Sequence, residues 1–163
     1  MKIQQFLQEI PELLRSQLPS ELQGFSTLGP TASLIKFHFG NRRIHYEVWV
    51  QRRAKLVEVG LHFEGDRASN LAWLETLQPQ LPGLRPLLGP GVAAEHWTEA
   101  WTRIHEEVPL EALEEDFLLE VTSRLAGLVR ALQPLVEAVN PRVEAVNPRV
   151  EREAPPHPPG TAT

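Results

Sequence analysis

His38, His45 and His62 fall in three consecutive runs that alternate apolar and polar residues with period two: residues 33–39, 44–51 and 56–63. Short loops join the runs, so the simplest arrangement is an antiparallel meander. If each loop is even in length, Phe39, Phe37 and Ile35 pair with Ile44, Tyr46 and Val48. These pair in turn with Phe63, Leu61 and Val59. The opposite face then carries His38, His45 and His62 in one row, Lys36, Glu47 and Gly60 in the next, and Leu34, Trp49 and Glu58 after that. Three imidazoles on one face can bind Zn²⁺, or Fe²⁺ with Glu47 or Glu58, and a metal-bound water would supply a nucleophile. Opposed Cβ atoms sit about 5 Å apart in a sheet, so convergence of the rings depends on twist and on an unbroken register. The competing reading is a polar sheet face, solvated or covered by a helix.

Lys36, Glu47 and Glu58 form a second constellation, and these are the catalytic candidates. A lysine near two carboxylates can help hold Mg²⁺ and orient a water for phosphodiester cleavage. The usual acid-x-Lys pair is missing, because Leu34 stands two residues before Lys36. A cross-strand ion pair between Lys36 and Glu47, worth about 0.3 kcal/mol, is the simpler account. Trp49, Trp97 and Trp101 are candidates for contacting a ligand or partner, since exposed aromatics can line a pocket or stack bases. Trp73 sits at helical spacing and reads as core. There is no Ser/His/Asp arrangement with local context, no phosphate-cradling Gly loop and no dinucleotide fingerprint.

The elements that must position these residues follow from periodicity. Ile3, Phe6, Leu7, Ile10, Leu13, Leu14 and Leu18 mark an amphipathic helix over 2–18, with Pro11 inside it. Gly40-Asn41 suits the first hairpin turn, whereas the turn at 52–55 has no Gly or Asn. Asp66 to Ser69 offers N-caps for a short helix carrying Leu71, Trp73, Leu74 and Leu77. Thr98, Trp101, Thr102, Ile104 and Val108 favour a further strand near 98–106. An apolar stripe from Leu110 to Val139 forms a long closing helix. Acidic residues crowd its start, as the helix dipole favours, and Pro134 kinks it or begins a new segment. The segment VEAVNPR, beginning at 136, is repeated letter for letter from 143, and a Pro-rich stretch ends the chain. Asn-Pro breaks helices, so 141–163 reads as an extended or disordered tail.

Composition excludes several classes. The 163 residues fit one domain, 1–140, plus that tail. Net charge is −5, which argues against a broad phosphate-binding surface, so nucleic acid is disfavoured as a partner. There is no Cys, hence no disulfide, thiolate nucleophile or zinc–cysteine site. No run approaches a membrane span, and the N-terminus lacks a signal-peptide apolar core, so the expected location is cytoplasmic. Scarce Lys, loop Pro, a single Met and the lack of Cys suit a thermophilic source, though codon bias gives the same pattern.

Three stretches carry a resemblance: IHYEVWVQRRAKLVEVGLHFEGD, HWTEAWTRIHEEVP and LVRALQPLVEAV. They resemble an uncharacterised bacterial domain family built as helix, β-meander, helix, strand and long closing helix. The likeness covers about residues 1–139. Some relatives of that type occur fused to or beside restriction-type nuclease modules. The resemblance implies the fold and hints at nucleic-acid defence or repair, with no catalytic residues to carry over.

The expected fold is α+β, with an antiparallel sheet of three or four strands packed against the N-terminal and long C-terminal helices. The leading functional expectation is a non-enzymatic accessory or protein-interaction module, with a homodimer or another protein as partner. The alternatives are a metal-dependent hydrolase or nuclease-like protein that uses a divalent ion held by the His/Glu cluster, and a small-ligand domain with a Trp-lined pocket.

Overall fold

The computed structural model describes residues 1–146, with side chains described through Val139. Helix α1 spans Ile3–Gln17, and the alternating runs form β2 (Leu34–His38), β3 (Ile44–Gln51) and β4 (Leu56–Phe63). Short strand β1 (Ser26–Leu28) precedes them. Helix α2 (Arg67–Leu77), the single turn α3 (Leu81–Leu84), β5 (Ala93–His96), β6 (Thr102–Pro109) and helix α4 (Glu115–Val146) follow within the described residues.

The meander register is the one expected from alternation with even loops. Ile35 faces Val48 and Phe37 faces Tyr46, while His38, Lys36 and Leu34 face His45, Glu47 and Trp49. Across the next hairpin His45 faces His62, Glu47 faces Gly60 and Trp49 faces Glu58. The sheet has six antiparallel strands in the order β1-β2-β3-β4-β6-β5, where three or four were expected. Two edge strands account for the difference. Ser26-Thr27-Leu28 is too short to show a period, and Ala93-Ala94 has little strand propensity. The strand expected near 98–106 is β6, displaced to 102–109 because residues 97–101 form a turn. In that turn Trp97 and Thr98 donate their N–H groups to Trp101 O, and Thr98 Oγ1 accepts from Trp101 N–H.

One sheet face is apolar. Ile35, Phe37, Tyr46, Val48, Val59, Leu61 and Ile104 are buried beneath α1, α2 and α4. Tyr46 OH reaches through this layer to donate to Gln133 Oε1 of α4 at 3.1 Å, so its hydroxyl is satisfied in the core. The Asp66 cap holds: its carboxylate accepts from Ser69 N–H at 2.9 Å. Helix α4 runs through Pro134, which lies on the exposed side where water can take up the freed carbonyl, and its backbone stays helical to Val146. The tail was expected from 141, so α4 extends six residues into that segment. Residues 147–163, which include the end of the second VEAVNPR copy, lie outside the described residues. Among the described residues, no helix is long and apolar enough to cross a membrane.

The β3–β4 turn places Lys55 at φ 55°, in the left-handed region. A non-glycine residue there costs about 1–2 kcal/mol, part of which glycine's greater unfolded-state entropy would offset. Lys55→Gly is therefore expected to raise stability by about 0.5–1 kcal/mol. A urea titration checks this through an increased midpoint at unchanged slope.

Candidate metal centre

The polar sheet face gathers His45 and Glu47 from β3 with His62 from β4. Glu64, one residue past β4, joins them. Its N–H bonds to Arg43 O at 2.8 Å, which prolongs the ladder and keeps the β4 alternation running from Glu58 through Gly60 and His62 to Glu64. All four side chains are buried, none more than 2% exposed. One ligand atom from each lies within 4.8 Å of all the others. His45 Nε2 is 3.1 Å from Glu64 Oε2 and 3.5 Å from Glu47 Oε2. His62 Nδ1 is 3.2 Å from Glu47 Oε2 and 3.8 Å from Glu64 Oε2. These are ion-pair distances without hydrogen-bond geometry: His45 Nε2, His62 Nδ1 and Glu64 Oε2 are buried and make no directed hydrogen bond. The atoms crowd one point.

The outward nitrogens explain that aim. His45 Nδ1 lies 2.8 Å from the Arg42 carbonyl oxygen, and His62 Nε2 lies 2.7 Å from Glu58 Oε1. A carbonyl and a carboxylate only accept, so both ring nitrogens must donate. In the neutral imidazoles the lone pairs then sit on His45 Nε2 and His62 Nδ1, both directed at the two carboxylates. This is the usual support of a metal-bound histidine. Four N/O ligands about 2.0–2.1 Å from a tetrahedral ion stand roughly 3.4 Å apart, and the four His–Glu separations, 3.1–3.8 Å, bracket that value.

Charge supports the same reading. Three buried carboxylates, Glu47, Glu58 and Glu64, face a single guanidinium, Arg103, 3.2 Å from Glu58 Oε1. With Glu95, which shares Arg103 at 2.6 Å, and Lys36, opposite Glu47, also counted as ionised, the set is left with two negative charges, which two imidazolium protons or one divalent cation cancels. In the metal-free protein both imidazoles are shifted toward that protonated form. Burial alone would lower the His45 pKa, but the Glu47 and Glu64 carboxylates outweigh it and raise it to about 9. His62 is likewise raised against burial, mainly by Glu58 and Glu47. Burial would raise Glu58 and Glu64, yet the facing imidazoles hold both below the ordinary carboxylate range.

These directions predict a pH profile for the chelated protein. A raised histidine stabilises fully below its unfolded pKa of 6.5 and loses that contribution as pH climbs to about 9. The lowered glutamates stabilise above 4.5 and lose that contribution as pH falls. The contribution of the His45, His62, Glu58 and Glu64 cluster in chelator should therefore be greatest between 4.5 and 6.5 and fall by about 3 kcal/mol by pH 9 through His45 alone, while the lowered His38 and His105 act in the opposite sense below 6.5. Thermal melts across this range in excess chelator are the check.

The remaining candidates divide. His38 faces His45 in the register, but its Nδ1 accepts Gly40 N–H at 3.2 Å, so the ring serves the turn and not the cluster. Burial, with help from Arg42, lowers its pKa. The expected three-histidine set is thus replaced by two histidines and two glutamates. Lys36 faces Glu47 across the strands, and its charge helps hold Glu64 low. Glu58 stands one layer out, behind His62. Where the competing reading had the polar face solvated or covered by a helix, aromatic side chains lie against the cluster. Trp97, from the turn before β6, lies edge-on to the His62 ring at 4.7 Å, and the Trp97 ring is in turn 6.4 Å from Trp49 and 6.0 Å from Trp101. Trp49, Trp97 and Trp101 therefore form one aromatic wall over the cluster. Asn70 ties this turn to the start of α2 by donating to Gly65 O and Ala100 O, each at 2.9 Å.

No family model, curated protein or solved structure matches this chain. Sequence reasoning missed Glu64, Arg103, His105, whose Nδ1 lies 3.5 Å from Glu58 Oε1, and Glu95, which lies 2.6 Å from Arg103 Nη2. Glu64 was legible in the continued alternation of β4, and Arg103 and His105 in that of β6. Glu95 becomes visible only when β5 is paired to β6, opposite Arg103.

Proposed function

We propose that this protein is a non-enzymatic accessory module that holds one divalent first-row transition ion as a structural element, through His45, His62, Glu47 and Glu64. The observation that carries the reading is the convergence of two imidazole nitrogens and two carboxylate oxygens on one buried point, with the far nitrogen of each ring already donating. Two imidazoles and two carboxylates suit zinc, iron or manganese better than calcium or magnesium, which prefer all-oxygen shells.

Three features favour a structural ion over a hydrolytic one. Four protein ligands fill a tetrahedral shell, whereas catalytic zinc keeps a position for water. All four ligands are buried. Trp97 lies across the outer side of His62. An ion here would cross-link β3 to β4 and neutralise the cluster, stabilising the polar face that the helices leave uncovered.

The test is elemental analysis of untagged protein purified without chelator, beside a His45→Ala control. The expected result is close to one equivalent of zinc, iron or manganese in the parent and none in the control. Metal-free parent protein that also shows no thermal shift with added divalent ions would sink the proposal. Metal-dependent cleavage of a simple phosphodiester by the loaded parent, absent in the control, would replace it with the hydrolase reading.

A further inference from the structure

The two histidines of the cluster are supported differently. His45 donates to a neutral backbone carbonyl, Arg42 O, at 2.8 Å. His62 donates to an ionic group, Glu58 Oε1, at 2.7 Å, deep in the protein where both residues are at most 1% exposed. A carboxylate acceptor increases the electron density of the imidazole more than a carbonyl does, and it fixes both the ring's tautomer and its rotation.

Glu58 is itself held. Arg103 Nη1 lies 3.2 Å from the same Oε1, while Arg103 Nη2 lies 2.6 Å from Glu95 Oε1 on edge strand β5. The Arg103 guanidinium also lies over the Trp97 ring, 4.9 Å from its centroid. Trp97 in turn meets the His62 ring. Arg103 is thus locked on one side by a carboxylate and on the other by an aromatic face, and its position sets that of Glu58. The glycine at 60 makes room for this layer: a Cβ there would lie 3.2 Å from Glu58 Oε1 and 2.6 Å from His105 Cβ.

We infer that Glu58, held by Arg103, is the positioning residue of the metal centre, and that it makes His62 the stronger of the two imidazole ligands. This rests on the metal-binding reading above. Glu58 does not touch the ion. It acts through the His62 ring, by holding the proton on Nε2 and so presenting the Nδ1 lone pair to the cluster.

The experiment is a Zn²⁺ affinity measurement by chelator competition on the full chain, together with the visible spectrum of the Co²⁺ form, for parent, Glu58→Gln and Arg103→Gln. Glu58→Gln is expected to weaken Zn²⁺ binding about 10–100-fold and to shift the Co²⁺ bands, because the ligand field of His62 changes. Arg103→Gln is expected to weaken binding in the same direction by a smaller factor. A purely structural Glu58 would lower the melting temperature of the chelated protein and leave both readouts in place. An affinity within twofold of the parent and a superimposable Co²⁺ spectrum in Glu58→Gln would therefore overturn the positioning role alone. If Glu58→Gln does not fold, Arg103→Gln decides: weaker binding supports the role and unchanged binding overturns it. A parent that binds neither Zn²⁺ nor Co²⁺ overturns the metal centre and this inference together.

Discussion

His62→Ala is expected to abolish metal binding and to lower the unfolding free energy of the chelated protein by about 3–5 kcal/mol. The magnitude follows from what the ring faces. His62 is fully buried, and its two nitrogens approach Glu58 at 2.7 Å, Glu47 at 3.2 Å and Glu64 at 3.8 Å. Truncation strips all three carboxylates of a shared counter-charge in a place where water cannot replace it. The penalty is that of leaving buried charge uncompensated, which exceeds the net worth of the pairs themselves. It also opens a void beneath Trp97, which rests against the ring. Exposed His96 on β5 provides the control, since His96→Ala should change stability by no more than about 0.5 kcal/mol. Urea unfolding of both variants in chelator, with metal analysis of the untreated proteins, measures the two effects separately. A His62→Ala protein as stable as the parent would show that the network carries no net electrostatic tension.

Gly60→Ala is expected to destabilise the protein by about 3 kcal/mol, at the upper end of what overpacking costs. Gly60 sits at the centre of the polar face, with Glu47 opposite it on β3 and His105 opposite it on β6. An alanine Cβ would lie 2.6 Å from His105 Cβ and 3.2 Å from the Ile104 carbonyl oxygen. Neither neighbour is the free end of a flexible side chain, so β4 and β6 would have to move apart. The same shift would displace Glu58, and metal affinity should fall with stability. Gly24→Ala is the matched control, because nothing lies within 4 Å of a Cβ built there. Chemical denaturation of both variants, followed by Zn²⁺ titration, checks the prediction. A Gly60→Ala protein with parental stability would mean that the two strands yield at little cost.

Both predictions depend on pairings that local pattern alone could establish. Alternation in 33–39, 44–51 and 56–63, interrupted by Leu34 and Trp49, rules out a one-residue slip, which would turn each strand inside out, and the short even loops select among the registers that remain. With even loops, His45 faces His62, Glu47 faces Gly60 and Trp49 faces Glu58, as observed. The amphipathic spacing of α1, the Asp66 cap of α2 and the apolar stripe of α4 were legible for the same reason: a helix or strand period is written within a few residues of itself.

What the sequence did not determine depends on contacts between distant segments. Strands β1 and β5 are too short to carry a period, and they exist because an edge was open to pair with. His38 lies in the correct row, yet the competition between its ring and the Gly40 N–H is settled by turn geometry, which removes it from the cluster. Glu64 enters because the ladder continues past β4 to Arg43. Residues 97–101 cover the polar face because Asn70 of α2 grips that turn, and no periodicity announces such a bond. By itself, then, the sequence determined which residues share a face and a row, since alternation and turn length act locally. Only the tertiary structure decided which of those side chains converge, which nitrogen of each ring points inward and what shields them from water, since these depend on packing partners up to dozens of residues away.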